Sequence, residues 1–138
     1  MQLKEAISLG ADHHTLWDLD FEIPMATDKP VCQGDLLFQP KKYLPVEQAT
    51  TPLFREILLV GNGGNSHILS RMEGDVTFDR RTWLVRSPMT NEDLTLGVFT
   101  VAPNSTALLA HPEHGYQSFG PGTYVASRQG DSFSVVAD

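Results

Sequence analysis

The apolar residues of this chain occur in short runs that glycine, proline, asparagine and aspartate interrupt every few positions. After the first dozen residues, no segment sustains the 3.6-residue period of an amphipathic helix. Short β-branched, aromatic or alternating runs between turn-forming residues are typical of strands. The sequence therefore predicts an all-β protein, an antiparallel sandwich or barrel, with a short N-terminal helical turn that ends at Gly10. Strands are expected over residues 35–39, 55–60, 66–71, 76–79, 82–86, 95–101, 105–111, 122–128 and 133–136.

Some of these segments also carry information about their surroundings. Segment 95–101 is apolar on both faces, which indicates an interior strand. The glycine-rich stretch 61–66 lies between two strand candidates and has the composition of a hairpin, whereas phosphate-binding loops of this kind lead into a helix. The proline-containing segment 39–54 is expected to wrap across a sheet.

Length, charge and cysteine content limit the possible functions. The 138 residues are expected to form one β domain, 1–138. A net charge of −7 argues against a nucleic-acid partner, because such binding depends on clustered Lys and Arg. The apolar runs are too short to span a bilayer, and the first residues do not resemble a signal peptide. With Cys32 as the single cysteine there is no internal disulfide framework, so we expect a cytoplasmic protein with no membrane partner.

Two histidines flank a proline in the run HPEH, residues 111–114. Pro112 fixes φ near −65° and suits the first central position of a type I turn, whose outer Cα atoms lie within about 7 Å. His111 and His114 can therefore point to one place, and neutral imidazole is a ligand of zinc, iron, nickel and copper. Catalytic zinc usually has three protein ligands, and the best third candidate is His67. The three histidines predict a site for a divalent metal such as zinc.

Four further side chains are expected to line this histidine pocket. Glu113 lies within the turn, and Glu73 follows His67 by six residues and could contribute a carboxylate. Tyr124 and Arg128 belong to a later strand and would line the approach to the pocket. If the protein is an enzyme, a metal-activated water is the chemistry that such a pocket supports.

The same histidines also fit an interpretation without a metal. In it, His111 and His114 cap the turn through hydrogen bonds to backbone carbonyl groups, and Glu113 is solvated. The triplet Asp-His-His at 12–14 is a weak phosphoesterase-like match near the N-terminus, where a solvated segment is the simpler interpretation. Cys32 has no base beside it in the sequence, and no Gly-x-Ser-x-Gly motif is present, so nucleophilic catalysis is not indicated.

Five segments resemble a family of small uncharacterised bacterial proteins: QGDLL (33–37), GNSH (64–67), HPEH (111–114), GPGTYVASRQ (120–129) and VVAD (135–138). The family pattern contains Gly-His-x-His, His-x-Glu-His and Pro-x-Gly-x-Tyr-x-Val-x-x-Arg-Gln. Its two pairs of histidines imply a metal or polar site. Here Asn65 stands in place of one histidine, and asparagine is a poorer ligand for such metals. The resemblance implies no known activity.

A cupin barrel is a second, fold-level comparison, since cupins carry a histidine and glutamate metal site. The spacing of His67 and Glu73 suits it, but a His-x-His motif is missing here. Two functions therefore remain open. One is a binding module with a histidine-lined pocket for a metal or small ligand. The other is a structural or protein-interaction domain, in which an exposed strand edge binds a protein partner or a second copy of the chain.

Overall fold

The computed structural model of the chain describes residues 2, 23–62 and 66–129. The predicted N-terminal helical turn, the triplet at 12–14, Asn65 and the predicted strand 133–136 lie outside these residues. In the described part, strands are the regular elements: β1 (Met25–Ala26), β2 (Val31–Gln33), β3 (Leu36–Pro40), β4 (Ile57–Leu59), β5 (His67–Glu73), β6 (Val76–Asp79), β7 (Thr95–Val101), β8 (Thr106–His111), β9 (Gly115–Phe119) and β10 (Gly122–Arg128). This part contains no helix with the length and apolar character of a membrane span.

The strands form two five-stranded sheets. The first sheet has the order β1-β9-β8-β5-β4, and the second has the order β2-β3-β10-β7-β6. Only β1 and β9 pair in parallel among these strands, and every other pair is antiparallel. The all-β prediction is confirmed. Of its two alternatives the sandwich is observed, because the described strands form separate sheets and do not close into a barrel, so the cupin comparison gains no support.

The core lies between the two sheets and is built from alternate residues of their inner faces. Four fully buried aromatic side chains meet at its centre: Phe38, Phe99, Phe119 and Tyr124, with ring centroids 5.0 to 6.1 Å apart where they are in contact. The Tyr124 hydroxyl donates to the Gly120 carbonyl oxygen at 2.8 Å. Burial of these large apolar side chains is the main stabilising contribution.

Segment 39–54 covers the outer face of the second sheet, as predicted. Leu44, Val46 and Ala49 pack there against Val98 and Val125. The segment then runs beside β6, where backbone bonds join residues 51 and 53 to the strand. Strand β7 therefore lies between neighbouring strands with both faces covered, which explains why its sequence is apolar on both sides.

The predicted strand 82–86 is wrong. Trp83 has φ of +61°, outside the β region, and the backbone N–H groups of Leu84 and Val85 donate to Thr95 Oγ1 at 2.9 Å. A side chain from β7 thus takes the place of a partner strand. Conversely, the sequence did not predict β1, β2 and β9, which are short or lie beside a polar turn.

Candidate functional site

Turns from both sheets meet at one end of the sandwich. From the second sheet comes the two-residue β2–β3 turn, Gly34 and Asp35. Gly34 has φ of +57° and Asp35 has no positive φ, as in a type II′ hairpin turn. From the first sheet come the β8–β9 turn, residues 112–114, and the first residue of β5. Strands β4 and β5 flank the predicted glycine-rich hairpin and pair antiparallel, with His67 opposite Leu59.

The structure brings the three predicted histidines together. The ring centroids of His67 and His111 are 4.3 Å apart, those of His111 and His114 are 4.5 Å apart, and those of His67 and His114 are 6.3 Å apart. His67 and His111 are buried, while His114 is half-buried. We call these three residues the histidine cluster. His114 is therefore the most exposed member of the cluster.

Gln33 determines which nitrogen of His67 carries the proton. Its amide nitrogen donates to the carbonyl oxygens of Leu109 at 3.5 Å and Gly115 at 3.3 Å. Because a carbonyl oxygen only accepts, the amide oxygen of Gln33 must face His67 Nδ1, 2.8 Å away. Nδ1 therefore carries hydrogen and donates it. These bonds also tie β2 of one sheet to β8 and β9 of the other.

The second ring nitrogen of His67 faces a carboxylate. Its Nε2 lies 3.3 Å from Oδ1 of Asp35, whose side chain is 19% exposed. In the neutral ring with hydrogen on Nδ1, Nε2 presents a lone pair, and an ionised carboxylate oxygen does the same. The two acceptors can attract each other only through a proton or another cation between them.

Burial keeps His67 neutral. The pKa of His67 is lowered from 6.5 to about 4, mainly by loss of solvation and next by electrostatic repulsion from His111. Asp35 acts in the opposite direction, through its hydrogen bond and its negative charge, but does not offset the burial. Near pH 7 the ring therefore carries one proton, on Nδ1.

His111 has a different role, because it caps its own turn. Its Nδ1 accepts the backbone N–H groups of Glu113 at 3.1 Å and His114 at 3.2 Å. The neutral ring consequently carries its proton on Nε2. His111 does cap the turn, but it accepts from N–H groups, whereas donation to carbonyl groups was expected. A ring held in this tautomer offers a metal no lone pair at Nε2.

Two glycines make room for this arrangement. A Cβ on Gly34 would lie 2.8 Å from Nε2 of His114 and 3.3 Å from Cε1 of His67. A Cβ on Gly61 would collide with the carboxyl group of Asp35. The close approach of the two turns thus depends on the absence of side chains at these positions.

The end of β10 fixes the position of Asp35. The backbone N–H of Gln129 donates to the Asp35 carbonyl oxygen at 2.9 Å, and its side-chain amide donates to the Gly34 carbonyl oxygen at 3.1 Å. Arg128 donates to Asn62 Oδ1 at 3.1 Å and to Glu92 Oε1 at 2.7 Å. Arg128 therefore lies at the correct end of the sheet, but it acts through neighbours of the cluster.

The other predicted pocket residues lie at different distances from the cluster. Glu73 is at the opposite end of β5 from His67, roughly 20 Å away along the strand, and is exposed. Glu113 is exposed at the tip of its turn. Tyr124 is fully buried in the core, four residues or roughly 13 Å along β10 from Arg128. The structure does not bring the side chains of Glu73 and Tyr124 to the histidine cluster, whereas Glu113 belongs to the turn that carries His111 and His114.

No set of three or more His, Cys, Asp or Glu side chains within residues 2, 23–62 and 66–129 is arranged to hold a metal ion. The histidine rings of the cluster lie at tilts of 37° and 41° to one another in the two close pairs. His111 is not available as a metal ligand through Nδ1, because that nitrogen accepts the backbone N–H groups of the turn. What the site offers directly is the pair of His67 Nε2 and Asp35 Oδ1.

Sequence reasoning missed Gln33 and Asp35 as site residues. Both flank Gly34 in the motif Gln-Gly-Asp, which was recognised only as the start of a strand. A glycine between two polar residues at the end of an apolar run is a hairpin-turn signal. It could have placed two polar side chains at a sheet end, but it could not have placed them beside His67.

The model of one protein family, a domain of unknown function designated DUF8820, matches residues 32–129, which is more than half of the chain. The matched region includes both turns of the site and all three histidines of the cluster. No curated protein and no solved structure matches the chain.

Proposed function

Because the chain belongs to the DUF8820 family, a domain of unknown function, we propose its function from the site alone: a small binding module that holds a divalent cation. The cation would lie between His67 Nε2 and Asp35 Oδ1. Zinc is the expected metal, because imidazole and carboxylate ligands both suit it.

One observation carries this proposal, namely the tautomer that Gln33 imposes on His67. It directs a lone pair of the buried ring at a carboxylate oxygen 3.3 Å away. Metal-binding histidines usually donate their other ring N–H to an oxygen acceptor, which orients the ring. Gln33 makes that contact to Nδ1, so the ring is oriented in the way that a ligand requires.

His114 would supply a third donor. It is half-buried, it lies over Gly34, and its ring centroid is 6.3 Å from that of His67. Because the described residues contain no preformed three-donor set, rotation of the His114 side chain is part of the proposal. Such a site keeps coordination positions open to solvent or to a small ligand.

The test uses protein purified without a histidine tag, stripped with EDTA and titrated with Zn²⁺ by calorimetry. We expect one ion per chain in the wild type. We expect Asp35→Asn, which keeps the size of the side chain, to weaken binding by about tenfold or more. Glu113→Gln is the matched control, because Glu113 is exposed in the adjacent turn, and it should bind as the wild type does. His114→Ala should also weaken binding if His114 is the third ligand.

Cobalt provides an independent measurement of the same site, because its visible absorption reports the number and type of ligands. The proposal fails if the stripped wild-type protein binds neither ion, or if Asp35→Asn binds both as tightly as Glu113→Gln does. Zinc should also raise the free energy of unfolding of the wild type, by about 2.7 kcal/mol at 100 times Kd.

The second function, a structural or protein-interaction domain without a metal, is favoured by the capping role of His111. In that case the bonds of Gln33 and His67 serve only to join the two sheets. Stability then depends on Gln33 and His67 in the same way with and without Zn²⁺. An unchanged unfolding free energy on addition of the ion would support this function over the first.

A further inference from the structure

A cavity lies on the outer face of the second sheet, away from the core. Its volume is about 320 Å³. Strand β3, the connection between β6 and β7, and the end of β10 form its walls: Leu37, Gln39, Val85, Arg86, Pro88, Leu94, Arg128 and Gln129. This volume is at the lower end of the range found for small-molecule sites, so an occupant would be small.

The walls of this outer cavity are largely apolar. Leu37, Val85, Pro88 and Leu94 contribute hydrocarbon surface, and Leu94 is buried. Such walls cannot replace the hydration shell of a small inorganic anion, whose desolvation is costly. They suit a molecule with an apolar body.

Arg86 supplies a positive charge at this cavity. Its side chain is exposed, and its guanidinium lies 5.3 Å from the centre of the Trp83 ring. No ion pair or hydrogen bond joins this guanidinium to another residue in the described part of the chain. Arg128 differs, because Glu92 neutralises it at 2.7 Å. Arg86 is therefore available to an anionic group, and a guanidinium binds a carboxylate through two parallel hydrogen bonds.

A buried hydroxyl lies next to one wall residue of the cavity, but it does not itself line the cavity. Ser127 is the direct cross-strand partner of Leu37, so the two side chains are on the same face of the sheet. Ser127 is fully buried, and its Oγ has no hydrogen-bond partner among the described residues. Buried polar groups of this kind are uncommon and need a reason.

We propose that this outer cavity binds a small organic acid, with its carboxylate paired to Arg86 and its apolar body against Leu37, Val85 and Leu94. This function goes beyond cation binding at the histidine cluster and does not depend on it. The two sites are neighbours, because Gln129 lines the cavity and also holds the Gly34 carbonyl oxygen.

The experiment measures binding of benzoate and hexanoate to the full chain by calorimetry and by amide chemical-shift changes. Benzyl alcohol and 1-hexanol are the neutral counterparts of these probes. EDTA is present throughout, so that a metal at the histidine cluster cannot bind the carboxylates. We expect saturable binding with Kd at or below about 1 mM, and shifts confined to residues 37–39, 84–94 and 127–129.

Arg86→Gln should weaken binding of the acids by about tenfold or more, since an ionic hydrogen-bonded pair is lost. Arg86→Lys should retain part of the affinity. Arg55→Gln is the matched control, because Arg55 is an exposed arginine outside the cavity. Equal binding of the neutral probes, equal binding by the two glutamine variants, shifts elsewhere, or no saturation up to about 10 mM would each overturn the proposal.

Discussion

Acidification should destabilise this protein through His67. The folded-state pKa of His67 is about 4, because burial disfavours the charged ring, and the ordinary value is 6.5. Between these two values the unfolded chain binds a proton at this position and the folded chain does not. The contribution of neutral His67 to the free energy of unfolding is therefore fully present above about pH 6.5. It is lost as the pH is lowered towards 4.

The size of the effect follows from the shift. At about 1.4 kcal/mol per pKa unit, the full loss is about 3 kcal/mol. Between pH 7 and pH 5 the linkage relation gives a loss of about 2 kcal/mol. The environment of the ring supports a large value, since His67 is 1% exposed and is held at Nδ1 by Gln33.

Urea unfolding at pH 7 and pH 5, in EDTA, measures this loss. His67→Gln removes the titrating group. The variant should therefore lose about 2 kcal/mol less unfolding free energy between pH 7 and pH 5 than the wild type does. Glu113→Gln, a substitution in the adjacent exposed turn, should behave as the wild type does. Equal losses in the wild type and His67→Gln would refute the reasoning, whatever their absolute stabilities.

Two further predictions concern stability. Gly34→Ala should lower the free energy of unfolding by about 1–3 kcal/mol, because φ is +57° and the added Cβ would lie 2.8 Å from the His114 ring. Urea unfolding should show a smaller loss for the control Gly120→Ala, where φ is not positive. An equal loss in the two variants would contradict the argument from backbone strain. Asp79→Asn should remove stability that the wild type has above about pH 3.8 and loses as the pH falls towards 2, since hydrogen bonds from Thr51 and its neighbour lower the pKa of Asp79 to about 2. Acid titration of both proteins by circular dichroism would show this, and identical acid transitions would count against it.

The fold was predictable where local pattern decides it. Segments 76–79, 95–101 and 122–128 have the observed strand bounds, because alternation of apolar residues and flanking turn residues are local properties. Segment 82–86 has the same local pattern, yet Thr95 takes its backbone N–H groups and Trp83 adopts a positive φ. A competing partner distant in sequence decided that segment. Strand β1 has two residues, too few for any pattern.

The candidate site was predictable in part. Pro112 and Gly115 make the β8–β9 turn a local feature, so the approach of His111 and His114 followed from the sequence. The approach of His67 depends on the β4–β5 and β5–β8 registers, which the sequence did not fix. Glu73 shows the same limit, because six residues along a strand place it far from the cluster.

By itself, the sequence determined the all-β class, several strands and the turn that aims two histidines together, because these depend on interactions between residues close in the chain. Only the tertiary structure decided that Gln33 and Asp35 of one sheet would meet His67 of the other, and that His111 would cap its turn. Those contacts depend on how the sheets pack and on the space that Gly34 and Gly61 leave between them, and neither property is local. The pairing of a buried histidine lone pair with a carboxylate, from which the cation site is proposed, is a product of that packing.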